Sequence, residues 1–380
     1  MYKTSLHLSV FIPFLLLAVL SESLELSAVD DFSYQLQNYQ SGLGQLGSSE
    51  FDLVVIDYSE TGDETGEWLP AEIESLRSGG PCGSRIVLAY FSVGEAEDYR
   101  FYWNDSWVDA SGDPIPGVAP TWLGPQNPEW PGNYKIRYWE AGWQQIIYGT
   151  TSGPDKSYLD RILSQGFDGV YLDIIDGFEY WGPAEIGGTD ERRTAPAEMI
   201  DLVESIAQYA RVTMAVPNFL VFPQNGSYII DPDCYPDASD PDIEAQAQKT
   251  RLFSHIDGIG AEDSFYIGPA DENNPYNPDN DTIALLNQFR DAGKKVLSIE
   301  YLTTANLIQD YYNIRAPAQG YIPYATVRDL GQMTVNTGYE PDCEPVPPVP
   351  ALGQISFAFL VIIVPLYLQR VKNNVKRRDP

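Results

Sequence analysis

An α/β fold of the (β/α)8 TIM-barrel type is the expectation for this 380-residue sequence. Two observations carry it. Short apolar runs alternate with amphipathic stretches, which implies parallel strands joined by crossover helices, and eight such units in about 300 residues close a barrel. Polar and acidic residues also gather at one end of those runs, where a barrel of this kind carries its site.

The strands are read, in order, at Phe32 to Gln37, Leu53 to Tyr58, Arg85 to Val93, Gly169 to Ile175, Phe219 to Gln224, Gly258 to Ser264, Lys295 to Tyr301 and Tyr321 to Thr326. Helices are expected between them at Pro70 to Ser78, Ser157 to Gln165, Ala197 to Arg211, Ile243 to His255, Thr282 to Ala292 and Thr303 to Tyr312. Gly42 to Ser49 is a poor helix, so the first crossover is the weakest. Val212 to Val216 competes for the fifth strand, but Phe219 to Gln224 ends in polar residues, as a site-bearing strand should.

In the fourth strand, Val170, Leu172 and Ile174 share one face, whereas Tyr171 and Asp173 share the other, so Asp173 points where a core residue belongs. An ionised carboxylate is costly to bury without partners, and such a position suits binding or chemistry; an Asp there can also cap the following turn or pair with an Arg. The other strand ends offer Asp57 and Tyr58, Ser92 and Glu95, Asp176, Gln224 and Asn225, Glu262 and Asp263, Glu300 and Tyr324. After the third strand a long connection, Glu95 to about Gln144, holds Trp103, Trp107, Trp122, Trp130, Trp139 and Trp143. Indole faces suit sugar rings, and they equally suit a small core that holds a long loop together.

The ends stand apart from the barrel, expected at 29–335. Lys3, the apolar run Leu8 to Leu20 and the small or polar residues after it have the layout of a signal peptide over 1–28. A Pro-rich linker (336–350) leads to an apolar span (351–369) and a basic tail (370–380), which suggests attachment to a membrane with a cytoplasmic end. Val349 to Gly353 with the span and terminal arginines also resembles the tripartite sorting signals handled by exosortase-type systems. The body is thus expected to be secreted or held at the cell surface. The formal net charge is −31, and the body is more acidic than that because five of the basic residues lie in the C-terminal tail. Such a surface disfavours nucleic acid, whose phosphates need clustered Lys and Arg, and suits a salty habitat, simple solubility or a cationic ligand. Cys82, Cys234 and Cys343 allow one disulfide whose pairing spacing does not choose, and they are too dispersed for structural zinc. Only His255 remains beyond the leader, which excludes a multi-histidine metal centre, and no residue is assigned to a metal, although a divalent cation would suit the acidic surface; His255 reads as a helix C-terminal cap. The chemistry then falls to carboxylates, without a cofactor.

Several ordered motifs run through the chain: Phe51-Asp-Leu-Val-Val-Ile-Asp57, Leu88-Ala-Tyr-Phe-Ser-Val-Gly-Glu-Ala-Glu97, Trp122-Leu-Gly with Asn127-Pro-Glu-Trp-Pro-Gly-Asn-Tyr134, Gly166 to Tyr180, Phe222-Pro-Gln-Asn-Gly226 and Ile256-Asp-Gly-Ile-Gly-Ala-Glu-Asp-Ser-Phe-Tyr266. In these the chain resembles the bacterial and archaeal relatives of glycoside hydrolase family 114, the endo-α-1,4-polygalactosaminidase-like barrels, over about residues 30 to 330. The resemblance implies a catalytic pair, Asp173 as nucleophile or stabilising carboxylate and Glu262 as general acid/base, acting on an amino-sugar polysaccharide. Asp57, Glu95 and Asp176 are then expected to support the pair, and Tyr58, Tyr90, Gln224 and Asn225 to contact sugar hydroxyl or amino groups. Relatives tend to have Asp where this chain has Glu300, which bears on the shape of that subsite. A non-catalytic carbohydrate-binding or matrix-attachment protein on the same barrel is the competing expectation.

Overall fold

The structure is a computed structural model that describes residues 25–39, 42–79, 84–153 and 155–339. The expected leader up to residue 24, the linker from residue 340, the apolar span 351–369, the tail 370–380, Cys82 and Cys343 lie outside the described residues. No helix among those described is long and apolar enough to cross a membrane.

Eleven strands form in chain order: β1 (Phe32–Gln35), β2 (Leu53–Asp57), β3 (Ile86–Ser92), β4 (Glu95–Glu97), β5 (Leu123–Gln126), β6 (Asn133–Ile136), β7 (Gly169–Asp173), β8 (Leu220–Pro223), β9 (Gly258–Glu262), β10 (Lys295–Tyr301) and β11 (Ile322–Thr326). Parallel pairing runs β1-β2-β3-β7-β8 in one sheet and β9-β10-β11 in the other, and a parallel bridge from Gln224 to Gly260 joins the two. Across the remaining gap the Phe32 ring packs on Tyr324 at 5.4 Å. The result is a TIM-barrel-like α/β fold, and a helix fills each crossover, including a single turn at Gly44–Gly47. Helix ends follow local chemistry. Asp240 and Asp279 cap Pro241–Phe253 and Asn280–Asp291, and left-handed Gly166 closes Tyr158–Gln165.

All eight expected strands are present, and the difference lies at their ends. The fourth and sixth end two residues earlier than expected because the backbone turns left-handed at Ile174 (φ 58°) and Asp263 (φ 50°); the fifth ends at Pro223, one residue early, ahead of the left-handed Asn225 (φ 57°). Apolar periodicity carries no signal for such a turn. Val212 to Val216, the rival for the fifth strand, instead belongs to a wide helical turn, Tyr209–Thr213, and the loop after it.

Strand register fixes which side chains face the interior. Tyr90, Tyr171 and Phe222 lie opposite one another across β3, β7 and β8, and two residues further on Ser92 faces Asp173. On β9 the inward positions are Gly258, Gly260 and Glu262. A Cβ on Gly258 would lie 2.1 Å from the Phe222 ring, and one on Gly260 only 1.7 Å from the Tyr171 hydroxyl. The two glycines leave room for these rings, so the next inward residue, Glu262, stands clear at the strand end.

The long connection after β3 is an antiparallel sheet, in order β4-β6-β5, with an aromatic core of its own. Trp103 stacks on Tyr134 at 4.7 Å, Trp107 sets its edge against Trp122 at 5.3 Å, and the buried Trp143 donates its indole N–H to Val93 at 3.0 Å. Trp139 lies edge-on to Trp181. Trp130, 58% exposed, faces solvent instead. Five of the six tryptophans therefore pack within or against the loop, and Trp130 is the most exposed of them.

Candidate active site

Asp173 and Glu262 close β7 and β9, the strands on either side of β8, and both are half-buried. Asp173 Oδ2 accepts the Tyr90 hydroxyl at 2.5 Å, and its Oδ1 accepts the Ile174 N–H at 2.8 Å. Glu262 accepts the Tyr301 hydroxyl on Oε1 and the Asn225 amide on Oε2 at 3.1 Å, while its own N–H donates to Asn225 Oδ1 at 3.1 Å. Asn225 is held in turn by its N–H to the Gly260 carbonyl at 2.8 Å. Gln224 accepts from the Tyr34 hydroxyl, which crosses the interior from β1, at 3.0 Å. Each carboxylate thus has one tyrosine O–H aimed at it and a second donor fixing its direction.

Burial pushes the Asp173 carboxyl up to about 8; the Tyr90 hydrogen bond opposes this, and the charges of Glu262 and Asp176 reinforce it. Glu262 is also raised by burial, against hydrogen bonds from Tyr301, Asn225 and Gln224. Burial thus holds both carboxyls above the usual carboxylate range, and the charge of Glu262 adds to the rise at Asp173. Asp176 is pushed up to about 6 by burial and then by Glu95 and Glu262. Glu95 arrives beside it because Gly94 has no side chain: a Cβ there would lie 1.9 Å from the Ile174 carbonyl. Glu95 Oε1 takes the Asn127 amide at 2.9 Å and the Lys135 ammonium at 3.4 Å, and that ammonium sits 4.8 Å from the Tyr180 ring centre.

The structure does not bring every expected residue to this opening. Asp57 points inward but is locked in a buried ion pair with Arg100 at 2.8 Å. Tyr58, the next residue, faces the helices; it is fully buried against Tyr158 at 4.8 Å and has no route to a sugar. Glu300 likewise faces away from the interior, accepting the N–H groups of Phe265 at 2.7 Å and Tyr266 at 3.2 Å, and so shapes the loop after β9 instead of a subsite. Tyr324 is buried and accepts the Thr334 N–H at 2.9 Å. His255 ends its helix, its ring nitrogen 2.9 Å from the Arg251 carbonyl, and Cys234 is buried with its thiol on the Tyr228 carbonyl at 3.2 Å. Tyr301, Glu97, Tyr99 and Arg100 escaped the reading of the sequence. For Tyr301 a signal existed, since it is the inward residue at the end of β10. Among the described residues, the carboxylates close enough to share a metal ion are Asp30, Asp31 and Asp52. They lie at the other end of the strands, where the Lys295 ammonium is close by and donates to Val29 at 2.8 Å.

The sequence pattern of glycoside-hydrolase family GH114 matches residues 18–341. An uncharacterized protein of Methanocaldococcus jannaschii is 37% identical over 313 residues, covering 80% of this chain and 78% of its own. One of Thermotoga maritima is 36% identical over 323 residues, covering 82% and 85%. Among solved structures, a GH18 chitinase from Pseudoalteromonas aurantia aligns over 78% of this chain and 93% of its own at 13% identity, with a TM-score of 0.41, too remote to bear on activity. The family pattern spans the barrel and both strand ends that carry the carboxylate pair, and the chain belongs to glycoside-hydrolase family GH114.

Proposed function

We propose that the protein is an endo-acting glycosidase that cleaves an amino-sugar polysaccharide of the galactosamine type by a two-carboxylate mechanism. The observation that supports this most is the pair itself: Asp173 and Glu262 share one interior face, sit at the mouth of the fold, and are both held above the usual carboxylate range by burial. In this reading Asp173 attacks or stabilises the anomeric carbon, and Glu262, in its protonated form, delivers a proton to the glycosidic oxygen. The Tyr90 hydroxyl and the Ile174 N–H stabilise Asp173 as an anion while positive charge develops on the sugar. Asp176 and Glu95 add negative potential beside the pair, which suits a polymer with free amino groups. The leader and C-terminal span of the sequence further support export and attachment at the cell surface.

The test is release of reducing ends from partly deacetylated α-1,4-linked galactosamine polymer, with Asp173→Asn and Glu262→Gln compared with the parent. Both variants should lose turnover by at least about a thousandfold and keep their melting temperature. Full activity in both would sink the assignment. Polymer binding without cleavage by the parent protein would favour the carbohydrate-binding alternative.

A further inference from the structure

Tyr90 carries one hydroxyl proton but has two carboxylates within reach, Asp173 Oδ2 at 2.5 Å and Glu97 Oε1 at 3.4 Å. A phenol donates to one acceptor at a time. Which carboxylate receives it depends on how fully the other is already satisfied. Glu97 is well supplied: Arg100 binds its Oε2, and the Tyr99 hydroxyl donates to its Oε1, the oxygen facing Tyr90, at 2.7 Å. Arg100 is itself fully buried, bridging Glu97 to Asp57, with the rings of Tyr58, Tyr99 and Tyr158 within 5.6 Å.

We propose that Tyr99 is a positioning residue: its hydroxyl occupies Glu97 Oε1 and thereby leaves the Tyr90 proton to Asp173. Its importance for turnover rests on the glycosidase reading above, in which Asp173 acts as an anion. Without the Tyr99 hydroxyl, Glu97 competes for the Tyr90 proton, and Asp173 keeps only the Ile174 N–H. The other groups facing Asp173 are Glu262, Asp176, Tyr34 and Tyr171, and none of them touches Tyr99. Those facing Glu97 besides the two tyrosines and Arg100 are Tyr102, whose hydroxyl accepts the Glu97 N–H, Tyr158, Asp57 and Asp98. The Tyr99 ring lines a depression of about 450 Å³ with Asp98, Phe101 and Trp103 while its hydroxyl reaches inward to Glu97, so Tyr99→Phe removes that bond and leaves the ring in place.

The experiment titrates Asp173 directly by 13C NMR of aspartate-carboxyl-labelled protein, its signal identified by loss in Asp173→Asn. The Tyr99→Phe variant should raise the Asp173 midpoint by about 0.5–1 pH unit and Tyr90→Phe by about 1–2 units, the size expected for weakening and then losing a hydrogen bond to a charged group. The double variant should match Tyr90→Phe alone, because Tyr99 acts only through that proton. An unmoved midpoint in Tyr99→Phe overturns the proposal, and so does a Tyr99 effect of undiminished size in the Tyr90→Phe background. The titration needs no substrate, so failure of the glycosidase reading shows separately, as retained turnover in Asp173→Asn.

Discussion

A single methyl group placed at Gly260 should disturb the whole upper interior of the fold. In Gly260→Ala the new Cβ would meet the Tyr171 hydroxyl at 1.7 Å and the ring carbon bearing it at 2.3 Å. Ordinary contact needs well over 3 Å, so the ring must move by more than about 1 Å, or β9 must shift away from β7. Tyr171 is fully buried, and its neighbour along the inward face is Asp173; the neighbour of Gly260 is Glu262. Overpacking of this kind costs about 1–3 kcal/mol, which at this chain length lowers the melting temperature by roughly 2–6 °C. The effect on rate should be larger in proportion, since about 1 Å of misplacement between reacting groups costs on the order of a hundredfold. Thermal denaturation and initial rates on the galactosamine polymer measure the two effects. Tyr171→Phe is the control of opposite sign: its hydroxyl is buried without a hydrogen-bond partner among the described residues, so removing it should leave stability unchanged or raise it by about 1 kcal/mol. An alanine at 260 that changes neither melting temperature nor rate would refute the idea that the two glycines set the carboxylate spacing.

Two further outcomes are expected. Arg100→Met should destabilise the fold by about 3–5 kcal/mol, because it leaves Asp57 and Glu97 buried without their cation. Asp57 already sits at about 6 through burial, so the loss should be smaller at pH 5 than at pH 8 in chemical denaturation. Glu300, pushed up to about 8 by burial, binds its proton more tightly folded than unfolded. The stability it contributes is therefore fully present below the unfolded value near 4.5 and is lost as pH rises through about 8. Melting temperature should fall between about pH 5 and 8, and Glu300→Gln should reduce that slope; an unchanged slope would rule Glu300 out as the source.

The strands were legible because each is a short apolar run with a two-residue period, and the same period gave the inward phase of Asp173 and Glu262 without any tertiary knowledge. Applied strictly, it also separates Tyr58 from Asp57 and Glu300 from Tyr301, since adjacent residues on a strand face opposite ways. Tyr301 is the inward residue at the end of β10, where the same alternation places it beside Glu262. Arg100 was hidden for another reason: its partner Asp57 is 43 residues away, and only the folding of the antiparallel insertion over β2 and β3 brings them together. The tryptophans show the limit of composition, because a cluster of indoles reads the same in a sequence whether it grips a sugar or its own loop.

The left-handed turns after the fourth, fifth and sixth barrel strands carry a last consequence. Ile174, Asn225 and Asp263 all adopt positive φ immediately beyond a residue of the site, and for the β-branched Ile174 that conformation is an outlier costing on the order of 1–3 kcal/mol. A glycine at any of the three would relieve the backbone. The rim is thus a reservoir of tension that the packed interior must sustain, and thermostable variants of this protein are expected to gain changes in the helices and the lower strands ahead of any at the mouth.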